Sequence, residues 1–483
     1  MSAMTTGVRA PGTHPDLPPP PTEVGLRGWL YHNLFSSWPN SILTIASGAL
    51  LVWVLAHILP WLFFDAYWSG NERSDCPAAG EREGACWVYI KVWFKQLMYG
   101  RYPLEELWRI NSAYILLVGA LIPLIIPALS DRLFATPATW RRTVGGVMVA
   151  ALVLSALLGT PTWFPAIFFW AAVGLFVGYG FLLVVGYPAM AVLLFLVDLP
   201  VHPHVDAQST GWALFLAALL ALEGVLAFAH RIWPRFSYKA ALGVMLLVVF
   251  PPLCVYLFSG GALGLEIVET PLWGGLFLTL VIALSGIVAS LPLGVLLALG
   301  RRSNMPVVKS VCVVFIELWR GVPLITVLFM ASVMFPLFMP EGVNFDKLLR
   351  ALLGVMFFAS AYMAEVVRGG LQAIPKGQYE AADALGLSYW KSMGLVILPQ
   401  ALKIVIPGVV NTFIGLFKDT TLVLIIGLFD FLGMAQAVST NPDWLGFYVE
   451  GYIFVAFGFF LFCFGMSRYS LYLERKLETG HRR

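Results

Sequence analysis

Residues 375–399, PKGQYEAADALGLSYWKSMGLVILP, interrupt a chain that otherwise reads as hydrocarbon solvent, and their reading decides the rest. Lys376, Glu380, Asp383 and Lys391 stand between two long apolar runs, so the segment is a loop facing water, and its two lysines point to the cytoplasmic side. Residues 378–385 are good helix formers, Gly386 can take the left-handed conformation that ends a helix, and Ser388 can cap the next one. The composition predicts two short helices with a turn at Gly386.

Of the 483 residues, 59% are hydrophobic and only 12% charged, and the mean hydropathy is +0.82. A soluble fold of this length carries more charge, so the predicted class is an all-α polytopic membrane protein whose surroundings are lipid. The formal net charge is +3, with basic residues scattered among loops rather than gathered in a patch, which argues against nucleic-acid binding. Residues 1–40 include a run of four prolines, have no apolar core and show no cleavable signal pattern; they are expected to be a disordered cytoplasmic tail.

Residues 41–64 are long enough for a first span, followed by a polar external loop over 65–109. That loop holds Cys76 and Cys86, separated by nine residues, a spacing that a small disulfide-closed loop accommodates where the compartment oxidises thiols; two free thiols are the alternative. Zinc lacks further ligands, since no His lies nearby. Cys254, Cys312 and Cys463 fall in apolar runs as packing residues.

Arg132, Arg141 and Arg142 mark the next loop as cytoplasmic, and His230, Arg231, Arg235 and Lys239 mark a later one, so the apolar stretch 164–197 must cross an even number of times. From 273 onward the pattern is cleaner, with spans over 273–299, 311–339, 348–371, 401–429 and 452–473, for about ten to twelve in all. The intervening external loops carry Glu266 and Glu269, then Asp430, Asp443 and Glu450.

Ionisable residues at membrane depth cost roughly 2.5–3.5 kcal/mol or more when they face lipid, so they face something polar. Glu317 and Arg320 are three apart, as are Glu365 and Arg368, and each pair can share a helix face; Lys418 and Asp419 adjoin on a further helix. Together they offer both signs to a zwitterionic substrate. The competing reading is that the pairs neutralise one another as structural glue. His57 and Glu223 read as packing residues, and interface belts explain most of the seventeen tryptophans. No phosphate loop occurs, residues 386–392 being the nearest miss, and no motif of a membrane hydrolase is present.

Glu380-Ala381-Ala382, Gly386 six positions after the glutamate, and Leu398-Pro399 resemble the EAA loop of ABC importer permeases, with Val396 where that pattern has Ile. ELWRGVP at 317–323, SAYMAEVVRGGLQAIPKGQ at 360–378, Pro399-Gln400 and FKDTTL at 417–422 resemble the polar amino-acid branch of the family. The external loop ending in GACW, with YGRYP after it, is similar to the larger permeases for acidic amino acids and their amides, or for amino acids generally, although this N-terminal part is longer than expected for that group.

The resemblance implies a five-helix type I importer core over 271–477, an accessory transmembrane region over 41–270 and a cytoplasmic tail at 478–483. It implies that Glu380, Ala381, Ala382 and Gly386 dock on a separate dimeric ATPase that alone binds ATP, so the chain is no enzyme and holds no cofactor. It further implies a second homologous permease subunit, a periplasmic amino-acid-binding protein, and a bacterial inner-membrane location with both termini cytoplasmic. A secondary transporter or channel working alone is the alternative, and it has no need of the 375–399 loop.

Overall fold

In a computed structural model of the chain, the described residues are 25–77, 83–111, 250–261, 265–340 and 345–477, with single positions at 113, 114, 117, 121 and 246. The expectations for 164–197, for the basic loops near 132–142 and 230–239, for Glu223 and for the tail at 478–483 lie outside them. The described residues are helical, with isolated bridges and no strand. Two compact units divide at residues 92 and 93.

In the first unit, α1 (Gly25–Leu34) forms where the tail over 1–40 was expected to be disordered throughout. GLRGWLYHNL holds no proline, unlike the residues before it. Thr44 Oγ1 donates to Leu34 O at 2.8 Å, tying α1 to the helix that follows. That helix, α2 (Trp38–Leu59), is capped by Ser37, whose Oγ accepts from Asn40 N, and it continues as a wider turn to Phe64. None of its residues is buried, as suits a span surrounded by lipid. Beyond it, Tyr67 N donates to Ala85 O at 2.8 Å and Trp87 N to Tyr67 O at 2.9 Å, tying Tyr67 to the residues that lead into the next helix.

The expected polar loop over 65–109 also contains α3 (Trp87–Tyr99), which ends the first unit and begins the second. Its apolar positions Val88, Tyr89, Ile90 and Leu97 are buried, a pattern hidden by the loop's overall polarity. In the second unit, residues 100–110 lie against the start of the core. Arg101 N donates to Leu272 O at 3.0 Å, and Tyr102 Oη donates to Phe258 O, at the end of α4 (Phe250–Ser259), at 2.9 Å. Gly100 at φ +70° is required, since a Cβ there would come within 2.4 Å of Gly274 Cα.

The core is organised by α5 (Gly275–Arg301) and a later helix of equal length, α8 (Lys347–Ala373). At 27 residues each runs about 40 Å, enough to cross the hydrocarbon with tilt. The buried side of α5 steps through Thr279, Ala283, Gly286, Ser290, Gly294 and Ala298, and that of α8 through Ala351, Val355, Ala359, Met363, Val367 and Leu371. Lipid offers no hydrophobic drive for two such helices to meet, so small residues that allow close dispersion contact do the work. A Cβ on Gly294 would lie 2.7 Å from Met363 Cβ, and one on Gly286 2.7 Å from Leu416 Cδ2.

Between these helices the expected single crossing over 311–339 is broken. Helices α6 (Pro306–Gly321) and α7 (Leu324–Phe329), the latter prolonged to Phe338, meet at 102°. Val322 is held extended by Pro323 behind it, as a residue before proline must be, and hydropathy does not register the change. After α8 come α9 (Lys376–Ala384), α10 (Tyr389–Ser392) and α11 (Leu398–Ile404), then α12 (Ile406–Asp419), which tightens into a 3-10 turn to Ile426. A short α13 (Phe431–Ser439) and the last span α14 (Tyr448–Leu477) complete the unit. Among the described residues five helices are long and apolar enough to cross, or six with the bent pair.

Candidate functional site

The 375–399 segment is the helix pair read from its sequence. Helix α9 ends in two bonds that close a Schellman turn: Leu387 N donates to Ala382 O at 3.2 Å and Gly386 N to Asp383 O at 2.9 Å. Gly386 supplies the φ of +68° this requires, with open space around it. Ser388 occupies the cap position of α10 but makes no side-chain cap bond there.

One side of the pair is anchored. Ala382 is 1% exposed, and Tyr379 Oη donates to Leu371 O at 3.1 Å. Arg302 donates to Leu371 O at 3.2 Å and to Tyr379 Oη at 3.1 Å, and stacks over the Tyr379 ring. The other side, with Glu380, Ala381, Leu385, Tyr389 and Trp390, is exposed. An acidic and apolar surface on a stiff, tethered hairpin suits a groove on a partner better than a solvated connection.

About 12 Å along α8 from Ala373, charged side chains from α5, α6 and α8 converge on Glu365. Arg368 donates two bonds to Glu365 Oε2, at 2.9 and 2.7 Å; Arg301 Nη1 reaches Glu365 Oε1 at 2.8 Å; and Arg320 Nη1 stands 3.8 Å from Oε2. Arg301 also bonds Glu317 Oε1 at 2.9 Å. Glu365 and Arg368 therefore pair as their spacing suggests. Glu317 and Arg320 do not pair with each other; Arg301 takes Glu317, and Arg320 turns to Glu365 and the Tyr362 ring. Three guanidiniums face two carboxylates, an excess positive charge at this depth.

Arg301 is not among the site residues read from the sequence. Its role depends on α5, α6 and α8 meeting, which no spacing within one helix reveals. Tyr362, Arg302 and Tyr379 were missed for the same reason. Lys418 and Asp419 are not part of the cluster. Their neighbour Leu416 packs level with Gly286 and Val355, whereas Met363 packs level with Gly294, eight residues and about 12 Å further along α5. Lys418 is exposed and Asp419 half-buried, so the two places form separate levels rather than one zwitterion site.

In the first unit Cys76 and Cys86 are joined, their Cα atoms 6.2 Å apart. Asp75 beside them accepts from Glu72 N and Asn71 N, which hold its carboxyl below the usual range.

Residues 290–479 match the family described as binding-protein-dependent transport system inner membrane component. The chain is 43% identical to the inner membrane amino-acid ABC transporter permease protein YhdY of Escherichia coli K12, over 97% of each chain. It is also 43% identical to the glutamate/glutamine/aspartate/asparagine transport system permease protein BztC of Rhodobacter capsulatus, over 96% of each. The chain belongs to the amino-acid permeases of these ABC transport systems. The permease is a multi-pass protein of the inner membrane and a transport subunit. Its N-terminal half is not longer than that of its group, because both long relatives match it nearly end to end. The glutamate/aspartate import permease protein GltK of Escherichia coli O6:H1 covers only 42% of this chain at 32% identity, yet 91% of its own length matches. The core is thus shared widely, and the first half belongs to the long form.

Proposed function

We propose that the permease carries acidic amino acids and their amides inward across the bacterial inner membrane, coupled to an ATPase dimer through Glu380, Ala381, Ala382 and Gly386. The observation that carries this reading is the anchored helix pair with Glu380 outward and Ala382 inward, which has the form of a docking element and no role in a transporter working alone. A second, homologous permease subunit completes the pore, a periplasmic binding protein delivers substrate, and ATP is bound by the ATPase alone. The identity to a permease named for glutamate, glutamine, aspartate and asparagine supports this substrate class. Loop charge supports a cytoplasmic position for the hairpin and both termini and an external one for residues 65–109.

The cluster about Glu365 serves as a polar gate near the cytoplasmic end, where excess guanidinium charge attracts carboxylates and the shared Glu365 keeps the arginines from repelling one another. The test is reconstitution of the permease with its ATPase, partner permease and binding protein. ATP-dependent uptake of glutamate and glutamine into vesicles is expected. An importer that binds no ATPase, or transports only uncharged branched amino acids, would contradict the reading.

A further inference from the structure

At the end of the core remote from the helix pair, a cavity of about 420 Å³ opens between Thr270 and Pro271 ahead of α5, residues 345–350 at the start of α8, and Gly427 and Leu428 after α12. Its charged lining is Asp346, Lys347 and Arg350. Glu269, next to Thr270 in the chain, does not line it.

The three charges are differently engaged. Asp346 has both oxygens occupied, Oδ1 by Leu349 N at 3.1 Å and Oδ2 by the Thr270 hydroxyl, so its charge is already spread over partners. Arg350 gives one nitrogen to the neutral carbonyl of Ser332, and its buried Nε has no hydrogen-bond partner. Lys347 makes no ion pair among the described residues, and its Nζ would lie 3.8 Å from a Cβ placed on Gly427. Two cations with unused donors thus share a concave space of small-ligand size with one committed carboxylate. They also stand in the first turn of α8, where the helix dipole is itself positive, so the site as built lacks an anion.

We propose that this cavity takes the carboxylate of the transported amino acid as it enters the permease, with Lys347 supplying its ammonium and Arg350 the positive charge of its guanidinium. The proposal rests on the reading of the chain as an amino-acid permease. Its net positive lining favours substrates with a second carboxylate over their amides. Gly427, at φ +73°, leaves the floor beneath Lys347 bare.

Lys347 is exposed and without an ion-pair partner among the described residues, so Lys347→Cys is expected to fold and insert. In the complete importer in vesicles, this variant is expected to take up glutamate roughly tenfold more slowly, with a smaller loss for glutamine, as for the loss of one charge-assisted bond. Attaching an aminoethyl group to the thiol should restore uptake, and a sulfonatoethyl group of similar size should not. Free glutamate should slow the modification, measured against the wild-type chain with its own cysteines as background. Unchanged glutamate uptake by the variant, or equal recovery with either reagent, would overturn the site. Protection that needs the binding protein and ignores glutamate would overturn it too, by making the cavity a contact of that protein. A wild-type importer that moves no amino acid removes the underlying reading, and the proposal with it.

Discussion

At the scale of single residues, Glu365 is set apart by having three guanidinium neighbours where Arg368 has one carboxylate. Glu365→Gln leaves Arg301, Arg320 and Arg368 with Glu317 as the sole remaining counter-charge among the described residues, whereas Arg368→Gln leaves Glu365 still paired. The first change is therefore expected to cost about 1–3 kcal/mol in detergent melting and the second less, the side chain of Glu365 being only 15% exposed. In a double-mutant cycle the pair should cost less than the sum of its parts. Equal losses from the two single variants would show that Arg301 and Arg320 draw nothing from Glu365. In uptake, full activity of the double variant would leave the cluster as structural glue.

Asp430 offers a second residue-scale test. It is fully buried at the start of α13, where Gly433 N and Leu432 N donate to it, and burial pushes its carboxyl up to about 6 despite those bonds. A carboxyl whose folded value is raised binds its proton more tightly in the native state, so its contribution is greatest below about pH 4 and is lost as pH rises through about 6. Asn caps a helix as well as Asp without ionising. Asp430→Asn is expected to melt higher than the wild type at pH 7, by on the order of 2–3 kcal/mol, and the gap should close towards pH 4. A gap that stays constant with pH would mean that the aspartate is not the titrating group.

At the scale of elements, the hairpin over 375–399 is joined to the charge cluster by two adjacent residues at the C-terminal end of α5, the last helical residue and its cap. Arg301 enters the cluster, and Arg302 stacks on Tyr379 beside Glu380. On the proposed reading, motion of α9 would pass to α5 within one residue of the charge cluster. Tyr379→Phe keeps the ring under Arg302 and loses the hydroxyl's bond to Leu371 O, so it should retain most coupling; Tyr379→Ala loses both and should leave ATP hydrolysis running with little uptake. If the Phe and Ala variants coupled alike, the stack would have no part in transmission. The tip is tested separately. Gly386→Val meets no atom but must hold a β-branched side chain at φ +68°, at a cost of about 1–2 kcal/mol. Glu380→Lys reverses an exposed charge without touching the fold. Both are expected to yield inserted permease with uptake uncoupled, read as the ratio of ATP hydrolysed to glutamate taken up.

At the scale of the whole molecule, sidedness ties the parts together. Cys76 and Cys86 belong to the loop expected outside, so the pair should resist impermeant thiol reagents until reduced and then be labelled in intact cells, with a gel shift marking the reduction. Labelling that requires lysis would invert the first half of the chain.

Much of this was legible in the chain because its causes are local. Apolar runs of span length, the pairing of Glu365 with Arg368 one turn apart, and the turn at Gly386 each depend on residues close in sequence, where periodicity, charge and backbone freedom act. The helix at Gly25–Leu34 and the 102° bend before Pro323 are also local, but composition averaged over long windows hides them. What tertiary structure alone decided lies between helices. Arg301 takes Glu317 from Arg320, Lys418 and Asp419 stand a level away from the cluster, and Asp346, Lys347 and Arg350 meet Gly427 across a cavity. These follow from how far glycine and serine let α5 and α8 approach and at what register, and a charge on one helix carries no record of which charge the next helix will bring to it.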